Sequence, residues 1–375
     1  MKVHFRKGSM IIMLIVAIGS SSFVTANKYF EEKVMEYRVA KSQADGFRAF
    51  LLARAGMQGA LGALKKIPEE FLYQSGIAFN PPPVPMAGGT IYYRMNPEDG
   101  KINVNNLVKA YDQSVNLRVQ EMMFRLYEQF GIPREKITYL IDWIDENDEG
   151  VAEKTFYQME KPPRKIKNGP LYTLSELTAV RGYDRKLIYE SLKPVDYDKN
   201  YSKDFLSEEE KVLITDSDFI LASNITAFVP YKDTGDDRIN INAAPYHVLM
   251  SLSDFMTRQA AMRILKYKIE KGGYIKEYKD LEKFPEFQVK TTDGFTLYAE
   301  LTGEQSGGSG TTPPLQGSTS RPANSPNEIS LYGARIKSKG EIYRIVGVGT
   351  MGKAVRRVTC IYDLPNDQIL LYSED

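Results

Sequence analysis

Asp142, Asp145, Glu146, Asn147, Asp148 and Glu149 form the densest run of oxygen-bearing side chains in the sequence, with Gly150 and Glu153 close behind. Asp142 and Asp145, three apart, share one face of a helix, and the residues after them can curl back so that several oxygens converge. Calcium takes about six to eight hard oxygens at about 2.3–2.6 Å in a flexible shell, which such a set can supply. The alternate spacing and closing glutamate of an EF-hand are absent. A solvated acidic helix end is the other reading of the same residues. Catalysis has less to draw on. His4 and His247 are the only histidines, and no Gly-x-Ser-x-Gly stands near His247. Neither phosphate-binding glycine pattern, Gly-x-Gly-x-x-Gly or Gly-x-x-x-x-Gly-Lys-Ser/Thr, is present. Glu208, Glu209 and Glu210 follow Ser207 as a capped helix start does. No enzyme is expected from this inventory.

The elements that must position these residues belong to an ordinary folded chain of 375 residues, with 42% hydrophobic, 11% aromatic and 26% charged residues. That length is enough for two domains, and the composition excludes global disorder and a polytopic membrane protein. Lys and Arg total 49 against 48 Asp and Glu, a net charge of +1, so no bulk attraction to nucleic acid is expected. The single cysteine, Cys360, cannot form an internal disulfide.

Lys2, His4, Arg6 and Lys7 precede Gly8, after which Ser9 to Ala26 carry no formal charge. That run is barely long enough to span a bilayer as a helix, and the basic residues before it predict an amino terminus on the cytoplasmic side. A secretory signal peptide cut after Val24-Thr25-Ala26 is the alternative. The residues beyond Ala26 favour a stem, because helical composition continues to about Lys66 without a proline between Met1 and Ile67. Tyr29, Phe30, Val34, Tyr37, Ala40, Ala44, Phe47, Leu51 and Ala55 recur at helical spacing, which predicts a face that packs on the chain's own domain.

Pro81-Pro82-Pro83, Pro85 and Gly88-Gly89 break the pattern. Strands are predicted at 90–95 and 101–105 around the turn Asn96 to Gly100. Helical segments are predicted next, at 114–130, 134–145, 173–192, 207–213, 245–252 and 256–271. Strands return at 295–301, 333–338, 340–349, 354–362 and 368–372, and helices nested between strands predict an insertion. Gly303 to Asn327 is rich in Gly, Ser, Thr and Pro, the composition of a loop. Ala243-Ala244-Pro245 with the helix from Thr257 to Lys271 resembles a helix-hairpin-helix module, and Leu177 to Leu192 resembles a degenerate first copy. Its turn, Ser253 to Thr257, has no glycine to bring backbone close to phosphate, and Asp254 would repel phosphate. Packing is the expected use; a membrane-anchored DNA receptor of a competence apparatus is the alternative function, kept open by Lys266, Lys268 and Lys271.

The leader resembles that of type IV pilin-like proteins: a basic segment, Gly8 where prepilin peptidase would cut, and an apolar helix from Ser9. In that family the fifth mature residue is normally glutamate; here it is Met13. The sequence is similar to the general secretion pathway protein K family, the minor pseudopilins known to lack that glutamate. The resembling phrases are Asp99-Gly100-Lys101-Ile102-Asn103-Val104-Asn105, Leu140 to Asp145, Leu174-Ser175-Glu176-Leu177, and Ile239-Asn240-Ile241-Asn242-Ala243-Ala244-Pro245. The resemblance implies an α+β fold in which a pilin-like N-terminal helix packs on a small antiparallel sheet, with a large inserted all-α domain of helix-hairpin-helix-like, or SAM-like, units. The implied organisation is a leader at 1–8, a transmembrane part at 9–26, the rest of the helix and first strands at 27–106, a helical insert at 107–286, and C-terminal strands at 287–375 with a loop at 303–328. It further implies calcium in the helical domain, with Asp142, Asp145, Asn147, Asp148, Glu149 and Glu153 as the candidate ligands. The implied partners are prepilin peptidase, the I- and J-type minor pseudopilins and other pseudopilins met through the stem. The implied place is the bacterial inner membrane, single-pass with a periplasmic body, and the implied role is to initiate and cap the type II secretion pseudopilus.

Overall fold

The computed structural model describes residues 7–193, 207–230, 236–292, 294–303 and 333–375, with no account of the side chains of 7–9. Helix α1 runs unbroken over Lys7–Lys66, 60 residues, about 90 Å at 1.5 Å per residue. A turn and the short α2 (Glu69–Ser75) lead into strands β1 (Val84–Met86) and β2 (Gly89–Pro97). The chain then leaves this layer and returns as β7 (Ile342–Met351), β8 (Ala354–Asp363) and β9 (Gln368–Glu374). Together these make a five-stranded antiparallel sheet in the order β1-β2-β7-β8-β9.

Between β2 and β7 lie β3 (Ile102–Asn103), β4 (Ile225–Thr226), β5 (Ile239–Asn240), β6 (Ile336–Lys337) and the helices of a second body, chiefly α3 (Leu117–Gln129), α4 (Glu135–Ile144), Tyr246–Ser251 and Arg258–Glu270. Two pairs of two-residue parallel strands, β3 with β4 and β5 with β6, tie this body together, so the insert is not purely helical. The expected strand at 295–301 is helix Leu297–Thr302 instead. Thr296 caps it by accepting from the Ala299 N–H at 3.2 Å, and this local bond overrides the β-forming residues of the segment. The expected helical stretch 173–192 is likewise split into Leu174–Ala179, a tight 3₁₀ turn, and Arg185–Tyr189, on either side of Gly182 at φ +79°. The expected loop at 303–328 lies almost wholly outside the described residues.

The stem seats on the sheet through small residues. Ala49, Ala53, Met57, Ala60 and Leu64 recur at i, i+4 and i+3 and are all buried, forming the stripe that meets the sheet. Gly347 and Gly349 of β7 face this stripe. A Cβ on Gly349 would lie 2.5 Å from the Ala53 nitrogen and inside the Ala49 carbonyl oxygen; one on Gly347 would lie 2.7 Å from the Met57 nitrogen. Backbone therefore touches backbone, and only glycine fits. The face predicted to pack from 29 to 55 is corrected by this arrangement. Phe47 and Leu51 point away from the sheet, since large side chains in the contact would hold helix and sheet apart, and Tyr29, Phe30 and Tyr37 are exposed because they lie before the sheet begins.

The two buried Ile-Asn-x-Asn phrases do the same job at two places in the insert. Asn103 Oδ1 accepts from the Asn105 N–H at 3.2 Å, and Asn240 Oδ1 from the Asn242 N–H at 3.0 Å. Asn105 then grips Leu171 through its N–H and C=O at 2.8 Å each, while Asn242 grips Ile275 at 2.7 and 2.9 Å. Each amide replaces one rung of a β-ladder where the chain has no strand to offer. We expect Asn242→Leu to leave the Ile275 backbone groups buried without partners and to destabilise the chain by about 2–3 kcal/mol. A lowered thermal midpoint in differential scanning fluorimetry checks this, and an unchanged midpoint would contradict it.

Candidate functional site

Two features carry chemistry or assembly: the exposed stem and the acidic loop after α4. On the stem, Gly8 and Ser9 lie in the first turns of α1, and Met13 is exposed within a run whose apolar side chains have nothing packed on them. The part of the helix from Met10 has an 18-residue window of mean hydropathy 1.9 with none of it buried, so by length and composition it can cross a membrane. The exposed aromatic residues continue above that window, through Tyr29, Phe30 and Tyr37 to Phe47, before the seat on the sheet begins.

The acidic loop is built on the end of α4, which stops at Ile144 with Asp145 at its C-cap. Asp142 and Asp145 are buried, as is Glu153, whereas Asn147, Asp148 and Glu149 are exposed. Asp142 folds the loop back on itself, its Oδ2 accepting from the Val151 and Ala152 N–H groups at 2.9 and 2.8 Å. Gly150 passes so close that a Cβ there would lie 2.5 Å from the Asp142 carboxyl carbon. Asn147 Oδ1 accepts from the Glu149 N–H at 2.6 Å, and Asn168 donates to the Asn147 carbonyl at 3.1 Å. Sequence reasoning missed Asn168, which lies too far along the chain for any local pattern to tie it to this loop. Gly150, a glycine closing an acidic run, is by contrast a legible turn signal.

Burial leaves some of these oxygens without donors. Asp145 Oδ1 and both carboxylate oxygens of Glu153 have no hydrogen-bond partner. Burial, and then the charge of Asp142, pushes the Asp145 carboxyl up to about 6. Glu153 is pushed up to about 7 by burial and by the charges of Asp142, Asp145 and Asp148. Among the described residues, no group of three or more His, Cys, Asp or Glu side chains is gathered tightly enough to hold a metal ion as it stands. The donor chemistry nevertheless suits a hard cation: all oxygens, three of them buried and orphaned, beside a loop with exposed carboxylates that can close.

The two raised carboxyls bind protons more tightly folded than unfolded. With metal chelated, stability therefore falls as pH rises from the ordinary carboxylate range, near 4, through about 7. A calcium ion held by Asp145 and Glu153 would reverse the trend by neutralising the charged forms. We expect millimolar calcium to raise the thermal midpoint of EDTA-treated protein more at pH 8 than at pH 5, with Asp145→Asn/Glu153→Gln abolishing the difference. Trp143, the only tryptophan, lies between the two aspartates in sequence and is buried against Tyr157, so its fluorescence would report calcium taken up by the loop.

The turn between helices Tyr246–Ser251 and Arg258–Glu270 makes one part-buried contact and one surface ion pair. Ser253 donates to Glu300 at 2.7 Å, and Asp254 pairs with Arg125 at 2.9 Å.

Residues 100–195 match the family model described as type II secretion system (T2SS), protein K. No curated protein matches the chain. Among solved structures, the chain is similar to one from the GspK-GspI-GspJ complex of the enterotoxigenic Escherichia coli type 2 secretion system, with a TM-score of 0.54 at 15% identity. The likeness covers 90% of this chain and 99% of that one, and at this identity it speaks for the fold.

Proposed function

We propose that the chain, whose residues 100–195 match the type II secretion protein K model, is a minor pseudopilin, a structural subunit without catalysis, and that it stands first in the pseudopilus, initiating and capping it. The observation that carries this reading is a stem with an exposed apolar start and methionine at position 13, where a subunit inside the shaft would need a carboxylate to meet its neighbour's amine. A subunit with nothing above it has no partner for such a charge, and an unpaired carboxylate in hydrocarbon costs several kcal/mol. Bulk points the same way. A body of about 345 residues has a radius of gyration of about 20 Å, too wide for a closely stacked shaft.

In this reading prepilin peptidase cuts after Gly8, leaving Ser9 as the mature amino terminus. The apolar start of α1 is held in the inner membrane with the body in the periplasm. The protein that the chain resembles is in complex with GspI and GspJ, so the I- and J-type minor pseudopilins are the proposed neighbours along α1 and its sheet. Calcium in the acidic loop, held by Asp145 and Glu153 with Asp148 or Glu149 closing over, would stiffen that body rather than take part in chemistry. The bond from Ser253 to Glu300 and the surface pair of Asp254 with Arg125 support use of the helical pair for packing.

Mass spectrometry of the membrane-assembled protein tests the reading at its root. We expect a mature chain beginning at Ser9 and one labelled copy per filament, at one end. A chain beginning at Asn27, or copies spaced along the shaft, would defeat it.

A further inference from the structure

The sheet has two edges, treated differently. Pro81, Pro82 and Pro83 lead into β1, which is three residues long and contains Pro85, so that edge offers few donors to another strand. The opposite edge is β9, seven residues without a proline. Arg357 and Asp375 exchange both backbone hydrogen bonds at 2.9 Å. In an antiparallel pair such bonded positions alternate, so Ser373 opposite Thr359 and Leu371 opposite Ile361 also point toward β8. Tyr372 and Glu374 must then direct their N–H and C=O groups away from the sheet. Among the described residues no strand pairs with that side.

We infer that this edge takes up an extended strand from the subunit whose stem lies against α1, adding a sixth strand to the sheet. The inference rests on the filament reading above. Continuity selects this occupant: Phe47 and Phe50 of α1 share one groove of about 490 Å³ with Arg356, Glu374 and Asp375, so a neighbour packed on the exposed stem already borders the end of β9. Charge narrows the partner's chemistry. From Gln368 to Asp375 there is no Lys or Arg and the end is acidic, so the added strand carries a basic residue opposite Glu374. Two copies of β9 would supply no such cation to each other. Main-chain hydrogen bonds would provide the affinity, as in other cases of strand addition.

The test uses the full chain co-expressed with its neighbouring pseudopilins and purified in detergent. Glu374→Pro removes an outward N–H from an exposed position, which an edge strand tolerates. We expect it to leave the thermal midpoint of the isolated chain unchanged while reducing recovery of the complex at least tenfold; Glu374→Lys should reduce it comparably through charge. In the wild type, hydrogen exchange across 368–375 should slow at least tenfold on complex formation, a readout that needs no variant. Full complex recovery with Glu374→Pro, or unchanged exchange in a complex that does form, would overturn the strand addition and leave the filament reading standing. Failure of the wild type to associate at all would overturn both. Concentration-dependent dimers of the chain alone, lost in Glu374→Pro, would assign the edge to a second copy and refute the inference.

Discussion

Gly349→Val abolishes stable folding of the sheet layer, with an expected loss above about 4 kcal/mol. Overpacking in a core usually costs about 1–3 kcal/mol because flexible side chains give way. Here nothing flexible stands opposite. The added Cβ meets the Ala49 carbonyl and the Ala53 nitrogen, both backbone atoms of α1, and the Leu52 Cβ at 2.8 Å. The helix would have to lift off β7, exposing the stripe from Ala49 to Leu64 that forms the core of this layer. Gly59 is the control. It sits in the same helix with nothing within 4 Å of its would-be Cβ, so Gly59→Ala should stabilise by about 0.5–1 kcal/mol through helix propensity. Thermal unfolding of the two variants in one detergent checks both signs. Equal midpoints would mean that helix and sheet sit apart with room for a side chain between them.

Met13→Glu is the second large effect. If the chain stands first, the new carboxylate has no amine above it; Met13 lies near the start of the span, so the cost is below the figure of about 3 kcal/mol that insertion scales give for a charge at the helix centre. About 1.4 kcal/mol of that cost falling on the assembled state alone corresponds to about a tenfold loss of complex at equilibrium. Met13→Leu should assemble as wild type, since it changes neither charge nor apolar volume much, and Met13→Gln should fall between. Recovery of the complex by co-purification from membranes is the measurement. Equal recovery for Met13→Glu would show that a carboxylate finds a partner there, and so that another subunit stands above.

Much of this architecture was legible in the sequence, for reasons that can be named. The stem follows from sixty residues without proline, and β7, β8 and β9 follow from dense β-branched and aromatic runs separated by turn residues such as Gly352 and Asp367, both at positive φ. The strand-to-helix reversal at Leu297–Thr302 was not legible, because Phe295, Thr296, Leu297 and Tyr298 are all acceptable strand residues and the deciding fact is one threonine cap. The packed face of α1 was misassigned since periodicity alone favours large apolar residues, whereas close backbone approach selects alanine and glycine. Of the two-residue strands, β3 and β6 fall within the strands predicted at 101–105 and 333–338, whereas β4, β5 and the long-range pairings, Ile102 with Ile225 and Ile239 with Ile336, are announced by no local pattern. At the acidic loop the residue types were legible but not which would be buried. Asp142 is occupied with holding the loop, while the orphaned oxygens belong to Asp145 and Glu153.

The notched contact between stem and sheet also has a mechanical meaning. With the carbonyls of Ala49 and Ala53 seated over Gly349 and Gly347, the helix cannot slide lengthwise without riding up onto the next side chain on the same face of β7, Ile345 or Met351. A force applied along the helix axis would thus be passed to the sheet in shear, spread over the whole interlocked length. Helix and sheet would bear such a load as one rigid piece, with no slack between them.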